Sequence, residues 1–188
     1  LLDLTSLDDY VEPEIFGDNE TLNQTLDTMN RYLNTVVTYE FGEDTEILDG
    51  RMIHEWIEYD GDPDSEPILN DDMIYDYVKS LANTYDTYGR NRSFTTTNGV
   101  SMTLPSGPYG WKISKDEEAE ALKELIIEGA QETREPIYSA EAACRGVDDI
   151  GNSYVEIDLS SQHLYLYLEG EIVLESDFVS GDVLTGNA

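Results

Sequence analysis

The end of the sequence carries three successive stretches with the alternation that is typical of β-strands. They span 154–159, 163–168 and 172–179, and Glu169-Gly170 predicts a tight turn between the second and the third. The pattern therefore indicates neighbouring antiparallel strands. Because a sheet of two or three strands is only marginally stable alone, we expect this tail to need more strands or another surface to cover it.

Three earlier segments have the residue spacing of amphipathic helices. They are predicted over about 19–33, over about 71–84 after Asn70 as N-cap, and from about residue 115 to Glu128. The third begins at a capping-box sequence, 114–117, and Gly129 is its stop signal. The residues expected to face inward are Leu22, Leu26, Met29 and Leu33 in the first, Ile74, Val78 and Leu81 in the second, and Ala121, Leu122, Leu125 and Ile126 in the third.

Short β elements are predicted between these helices. The sequence favours a strand over 35–41 and a hairpin over 94–104, where Asn98-Gly99 tolerates the positive φ angles of a type I′ turn. Segment 139–151 is small, polar and glycine-containing, which predicts a linker. The fold class expected is α+β, with a mixed helix and antiparallel-sheet domain followed by an incomplete all-β domain.

Charge excludes several classes of function. The chain has 41 acidic and 10 basic residues and a net charge of -31, so its field repels nucleic acid and anionic membrane surfaces. Its 13 tyrosines and 39% apolar residues argue for a folded protein rather than a solvated acidic tail. No apolar stretch approaches the roughly 18 residues of a membrane span, so we expect no membrane contact by this segment.

The tail resembles the opening of a known catalytic domain. Residues 154–181, from Tyr154-Val155-Glu156-Ile157-Asp158-Leu159 to Val179-Ser180-Gly181, are similar to the first strands of the L,D-transpeptidase (YkuD-type) family. That family opens with a strand, a polar turn, a strand ending in an aromatic residue, and a third strand leading to Ser/Thr-Gly.

The region before the tail resembles the peptidoglycan-binding domain that often precedes this catalytic domain in Gram-positive bacteria. The stretches that carry this resemblance are Ile47-Leu48-Asp49-Gly50, Tyr85-Asp86-Thr87-Tyr88-Gly89, Phe94-Thr95-Thr96-Thr97, Tyr109-Gly110-Trp111-Lys112-Ile113 and Thr133-Arg134-Glu135-Pro136-Ile137-Tyr138. The resemblance implies a lead-in segment over 1–18, a binding domain over 19–150 and the first catalytic strands over 151–188. It also implies an extracytoplasmic location at a Gram-positive cell wall, with a parent protein that is membrane-anchored.

The catalytic signature of the transpeptidase family is missing from the sequence. That signature is a His followed at some distance by Ser/Thr-His-Gly-Cys, and the single cysteine, Cys144, lies in Ala143-Cys144-Arg145-Gly146 instead. We therefore expect a chain that is not itself an enzyme and that stops before the catalytic half. Two alternatives stay open, namely a structural spacer and a small enzyme that pairs Cys144 with His163.

Candidate ligand contacts are the aromatic residues near glycines and one arginine. They could contact sugar rings and stem-peptide carboxylates of peptidoglycan or its precursors, although aromatic residues interleaved with glycine more often serve core or hairpin packing. These candidates are Tyr85, Tyr88, Tyr109, Trp111 and Arg134. No cofactor or metal is expected, and the acidic loop 60–66 departs from a calcium loop because Ser65 stands where glycine is needed.

Overall fold

The computed structural model describes residues 19–62, 65–146 and 148–181. The described helices are α1 (Glu20–Leu33), α2 (Gly50–Ile53), α3 (Asp71–Tyr85) and α4 (Lys115–Glu128), and a 3-10 turn (His54–Trp56) follows α2. The described strands are β1 (Val36–Phe41), β2 (Asp44–Leu48), β3 (Ile57–Glu58), β4 (Ile68–Leu69), β5 (Arg92–Thr95), β6 (Ser101–Leu104), β7 (Lys112–Ile113), β8 (Gln131–Arg134), β9 (Tyr138–Ala140), β10 (Tyr154–Asp158), β11 (His163–Leu168) and β12 (Glu171–Asp177). The predicted α+β class is confirmed.

The three long helices begin and end close to the predicted residues. The Asn19 side chain accepts a hydrogen bond from the Leu22 amide at 2.8 Å, and the Asn70 side chain caps α3 in the same way. Gly129 ends α4 with a φ of 70°, the left-handed conformation that glycine adopts without strain.

Two local helix predictions were wrong. On α1, Leu26 and Leu33 are exposed, while Thr25 and Tyr32 are buried, so the buried face is rotated by about one residue from the leucine stripe. Ser114 does not form the capping box, because its side chain makes no cap hydrogen bond and its backbone N–H donates to the Ile137 carbonyl at 2.8 Å.

A small sheet of order β2-β1-β8 lies at the centre of the first domain. β1 pairs antiparallel with β2 but parallel with β8, which follows α4. Antiparallel pairing was predicted for this domain and is wrong for β1 and β8, because a parallel partner lies far away along the chain and leaves no local signal. The side chains of β1, α3 and α4 form the core, whose fully buried members include Val37, Tyr39, Ile74, Val78, Leu122 and Ile126.

The predicted hairpin is present as β5 and β6, with a different turn. The Thr96 carbonyl accepts from the Gly99 amide at 2.8 Å and the Thr96 amide donates to Val100 at 3.0 Å. Only Gly99 has a positive φ there, at 78°. This geometry is a three-residue loop with a glycine bulge rather than the type I′ turn that was predicted.

The segment predicted as a linker is folded against the first domain in its described part. The Trp111 indole donates to the Cys144 carbonyl at 2.8 Å, and the Tyr109 hydroxyl donates to the Asp149 carbonyl at 2.9 Å. Asp149 itself is fully buried. A polar composition predicted solvent exposure here, whereas specific hydrogen bonds hold the segment in place.

Strands β10, β11 and β12 form the antiparallel sheet predicted for the tail. The hairpin tip contacts this sheet through Glu156, whose carboxylate accepts from the Thr97 amide at 3.0 Å and from the Thr97 hydroxyl at 2.7 Å. The Tyr167 hydroxyl lies 2.8 Å from the same Thr97 hydroxyl, and Phe94 packs edge-on against Tyr154. The β5–β6 tip is therefore the anchor between the first domain and the tail.

Glu156→Ala is expected to loosen this anchor. It removes the acceptor of two hydrogen bonds and should lower the free energy of unfolding by about 1–3 kcal/mol. Hydrogen exchange should be faster at the amides of 96–100, and Glu171→Ala, which removes an exposed carboxylate on β12, is the matched control. Unchanged exchange at 96–100 in Glu156→Ala would show that the anchor does not depend on this carboxylate.

Among the described residues, none of the helices is both long and apolar enough to cross a bilayer.

Candidate functional site

A cleft of about 270 Å³ opens where the end of α3, the start of β5 and the 141–151 segment meet. Its apolar walls come from Phe41, Tyr85 and Trp111. The Phe41 and Tyr85 rings are stacked with centroids 3.8 Å apart and planes within 5°. Stacking fixes both rings and presents a rigid aromatic surface to the cleft.

Three of the ten basic residues of the chain line this cleft, namely Arg90, Arg92 and Arg145. The carboxylates in the lining belong to Asp44 and Asp149. Because the whole chain carries a net charge of -31, a locally basic surface of this kind requires that the fold bring distant arginines together.

The Arg92 side chain makes its hydrogen bonds within the protein and stabilises the fold, so we do not count it as a ligand contact. Its guanidinium forms a two-point ion pair with Asp149, at 2.5 and 2.7 Å, and also donates to the backbone carbonyls of Thr87, Arg90 and Tyr109. Both side chains are buried, at 8% and 1% exposure. The pair thus holds the 141–151 segment against β5 and shapes one wall of the cleft.

Hydrogen bonding keeps Asp149 ionised despite its burial. Burial alone would raise the pKa of Asp149. The hydrogen bonds from Arg92 and Thr87 lower this pKa by more than burial raises it, so it lies below its ordinary value of 3.8. The hydrogen bond to Asp149 raises the pKa of Arg92 in turn. The pair is therefore fully charged at neutral pH.

Arg145 lies flat on Trp111, with its guanidinium carbon 3.6 Å from the ring centroid. One terminal nitrogen donates to Glu135 at 2.8 Å and to the Tyr138 hydroxyl. Its other donors have no bond within the described part of the chain. Stacking and these two bonds, which use both hydrogens of one terminal nitrogen, orient the guanidinium and leave the N–H groups on its other two nitrogens for a ligand.

Arg90 is the exposed member of the three. Within the described chain, the Arg90 side chain makes one hydrogen bond, to the Asn83 carbonyl at 3.3 Å. The side chain is therefore free to move toward a bound anion at small structural cost.

The comparisons with known proteins agree with this architecture. Residues 18–134 match the family model described as "Putative peptidoglycan binding domain". The chain belongs to that peptidoglycan-binding family.

Two solved structures resemble the chain beyond the family's domain. The Ldtfm–avibactam carbamoyl enzyme is 33% identical with a TM-score of 0.60, and the match covers 87% of this chain and 63% of that one. A Cys-to-Ser mutant of the Enterococcus faecium L,D-transpeptidase is 32% identical with a TM-score of 0.59, covering 86% and 64%. The chain therefore spans just under two thirds of the length of these structures. No match was found among curated protein sequences.

The structure brings two of the five predicted ligand contacts of the peptidoglycan-binding domain into the cleft, Tyr85 and Trp111. Tyr109 lies beside it, where its ring packs 5.1 Å from the Arg92 guanidinium. Tyr88 is exposed and faces the ammonium group of Lys112 at 5.1 Å. Whether any of these residues contacts a ligand stays a prediction.

Arg134 does not line the cleft. Its guanidinium pairs with the buried Glu118 carboxylate at 3.0 Å and is held inside the domain. Arg134 was predicted because a guanidinium can bind a carboxylate, and residue type gave no information on the direction of the side chain.

Sequence reasoning missed Phe41, Arg90 and Arg145 as cleft residues. A weak signal existed for the arginines, because basic residues are rare in this chain and Arg90, Arg92 and Arg145 stand beside glycine or asparagine. Nothing in the sequence pattern relates Arg145 to Trp111, which lies over thirty residues earlier.

The remaining candidates are separate from the cleft lining. The Cys144 thiol donates to the Asp148 carbonyl at 3.0 Å, and the His163 imidazole bonds to Asp177 at 2.7 Å, so the described chain gives no Cys144–His163 contact. In the acidic loop, the Asp60 carboxylate accepts from the Asp62 amide and from the Ser65 hydroxyl. Residues 63–64 of that loop lie outside the described residues.

Proposed function

We propose that this chain is the peptidoglycan-binding stem of a cell-wall L,D-transpeptidase and that it positions peptidoglycan for the catalytic region of its parent. The observation that carries the proposal is the cleft, where arginines gather beside aromatic rings in a chain of net charge -31. Aromatic faces suit sugar rings and guanidinium groups suit carboxylates. Peptidoglycan offers both kinds of group.

The tail supports a transpeptidase parent. Its sheet exposes apolar residues on both faces, at about half of their full exposure: Val155, Ile157, Leu159, Ile172, Val173 and Leu174. Such a sheet fits the first strands of a larger β-domain, because exposed apolar patches of this kind mark an unfilled interface. We accordingly propose domain limits of 19–150 for the binding domain and 151–188 for the start of the catalytic domain, after a lead-in over 1–18.

The chain itself is proposed to be non-catalytic. The family signature of a His and a Ser/Thr-His-Gly-Cys segment does not occur in its 188 residues. In the parent, a cysteine thiolate would attack a peptide carbonyl of one stem and expel the amine of the residue that follows it. The amine of a second stem would then attack the resulting thioester, which forms the cross-link and releases the thiolate. We propose from the same family resemblance that the parent lies at the cell wall of a Gram-positive bacterium and is anchored to the membrane.

Co-sedimentation with purified peptidoglycan sacculi tests the proposal. The chain is expected to sediment with sacculi, and Trp111→Ala should bind at least about tenfold more weakly, because truncating a central aromatic residue commonly costs 2 kcal/mol or more. Tyr59→Ala, which removes an aromatic side chain outside the cleft, should bind normally. Circular dichroism of both variants checks that they are folded.

A spacer makes the opposite prediction. If the intact chain stays in the supernatant at every sacculus concentration, the binding function is wrong and a purely structural stem is the better description. Binding that is equal for Trp111→Ala and the unchanged chain would move the function away from the cleft.

A further inference from the structure

The size of the cleft limits what can enter it. At about 270 Å³ it lies near the lower end of the roughly 300–1,000 Å³ that is typical of small-molecule sites, and it is open on one side. The cleft is therefore suited to the end of a longer ligand. A chain terminus fits this description better than an internal segment of a polymer.

The available hydrogen-bond donors select for an anionic end. Arg92 is saturated by Asp149 and three backbone carbonyls. Arg145 keeps donors without a bond in the described chain, and Arg90 makes one long bond of 3.3 Å. Arg90 can offer a two-donor fork and Arg145 offers single N–H groups on its other nitrogens, and a carboxylate has two acceptor oxygens that can accept from both side chains.

The charge of the surroundings limits the ligand to a small anion. Arg92 and Asp149 neutralise each other, Arg145 is paired with Glu135 at the edge of the cleft, and the remaining charges of the lining are those of Arg90 and Asp44. The net charge of the chain, -31, repels a polymer with many negative charges. A single carboxylate gains from the local arginines without meeting that larger repulsion.

We infer that this cleft binds the C-terminal carboxylate of a peptide, held by Arg145 and Arg90 above the Trp111 and Tyr85 rings. The inference rests on the proposed function, and it assigns the peptide part of peptidoglycan, rather than its glycan, as the recognised group. The aromatic surface contacts the last apolar side chain of the peptide. Arg145 stacked on Trp111 supplies a fixed point, and Arg90 closes on the carboxylate from the exposed side.

Calorimetric titration of the intact chain tests this assignment with two forms of one probe. The probe is a synthetic acetylated stem tetrapeptide, as the C-terminal acid and as the C-terminal amide. The acid is expected to bind at least about tenfold more tightly, since hydrogen bonds from guanidinium groups to an ionised carboxylate are stronger than those to a neutral amide. Arg90→Gln and Arg145→Gln should each reduce that preference.

Arg51→Gln is the matched control, because it removes one arginine whose side chain is 92% exposed and lies outside the cleft. It should keep the preference of the unchanged chain. If Arg145→Gln does not fold, Arg90→Gln still tests the assignment. The Arg90 side chain is exposed and makes one hydrogen bond within the described chain, so its replacement should leave the fold intact.

The outcomes separate this inference from the proposed function. Equal binding of acid and amide by a chain that still sediments with sacculi overturns the carboxylate assignment and leaves the function standing. Tight binding of the acid by a chain that ignores sacculi supports the assignment and overturns the wall-binding function. Displacement of bound probe by a glycerol-phosphate oligomer at equal concentration would overturn the peptide assignment in favour of an anionic polymer.

Discussion

Replacing Glu118 with alanine is expected to lower the free energy of unfolding by about 3–5 kcal/mol, the usual cost of removing one member of a buried ion pair. Glu118 lies on α4 with no exposed surface. Its carboxylate accepts from the Tyr39 hydroxyl at 2.6 Å, the Arg134 guanidinium at 3.0 Å and the Ile137 amide at 2.6 Å. Alanine removes this acceptor from the buried Tyr39 hydroxyl and from the partly buried Arg134 guanidinium and Ile137 amide.

Urea unfolding followed by circular dichroism measures this loss. Glu124→Ala, an exposed position on the same helix, should stay within about 0.5 kcal/mol of the unchanged chain. The double variant Glu118→Leu with Arg134→Met should recover part of the loss, because it removes both charges together. A loss below about 1 kcal/mol for Glu118→Ala would mean that water reaches and satisfies the three donors.

Asp149→Ala is expected to cost a similar amount, about 3–5 kcal/mol, because it leaves the buried Arg92 without its counter-ion. The effect should also reach the cleft, since the pair holds one of its walls. Peptide binding is therefore expected to fall together with stability. Asp148→Ala removes the exposed neighbouring carboxylate and is the control for a change of net charge.

The same ion pair predicts how stability depends on pH. The pKa of Asp149 lies below its ordinary value of 3.8 in the folded chain, so the unfolded chain binds the proton more readily. The contribution of the pair is present above the unfolded pKa and is lost as pH falls through the folded pKa. The urea concentration at the midpoint of unfolding should therefore decrease when the pH is lowered below about 4. Asp149→Asn should make the midpoint less dependent on pH in this range. If the dependence is unchanged in Asp149→Asn, other carboxylates cause the loss of stability in acid.

Local patterns predicted the elements whose stability depends on nearby residues. The α3 stripe of Ile74, Val78 and Leu81 is buried as expected, because a spacing of three and four residues defines one face whatever lies opposite it. The buried face predicted for α1 was wrong because two adjacent stripes have helical spacing. Leu26 and Leu33 lie on one of them, and the buried Thr25 and Tyr32 lie on the other. Only the position of the neighbouring elements selects between two adjacent stripes.

The candidate site shows the same division. Tyr85 and Trp111 were predicted as ligand contacts from their residue type, and both line the cleft, whereas Arg134 was predicted on the same grounds and points into the core. Arg145 was missed because its role depends on stacking against Trp111. Residue type indicates what a side chain can bind, but it does not indicate which way the side chain points.

The sequence by itself determined the secondary structure of the long elements, the acidic character that excludes nucleic acid, and the family resemblance, since each depends on residues close together or on composition. Tertiary structure alone decided the parallel β1–β8 pair, the burial of Asp149 and the cleft. These features join segments that are far apart in sequence. Their partners are chosen by packing and by the need to pair every buried charge, and neither requirement leaves a periodic signal in the chain.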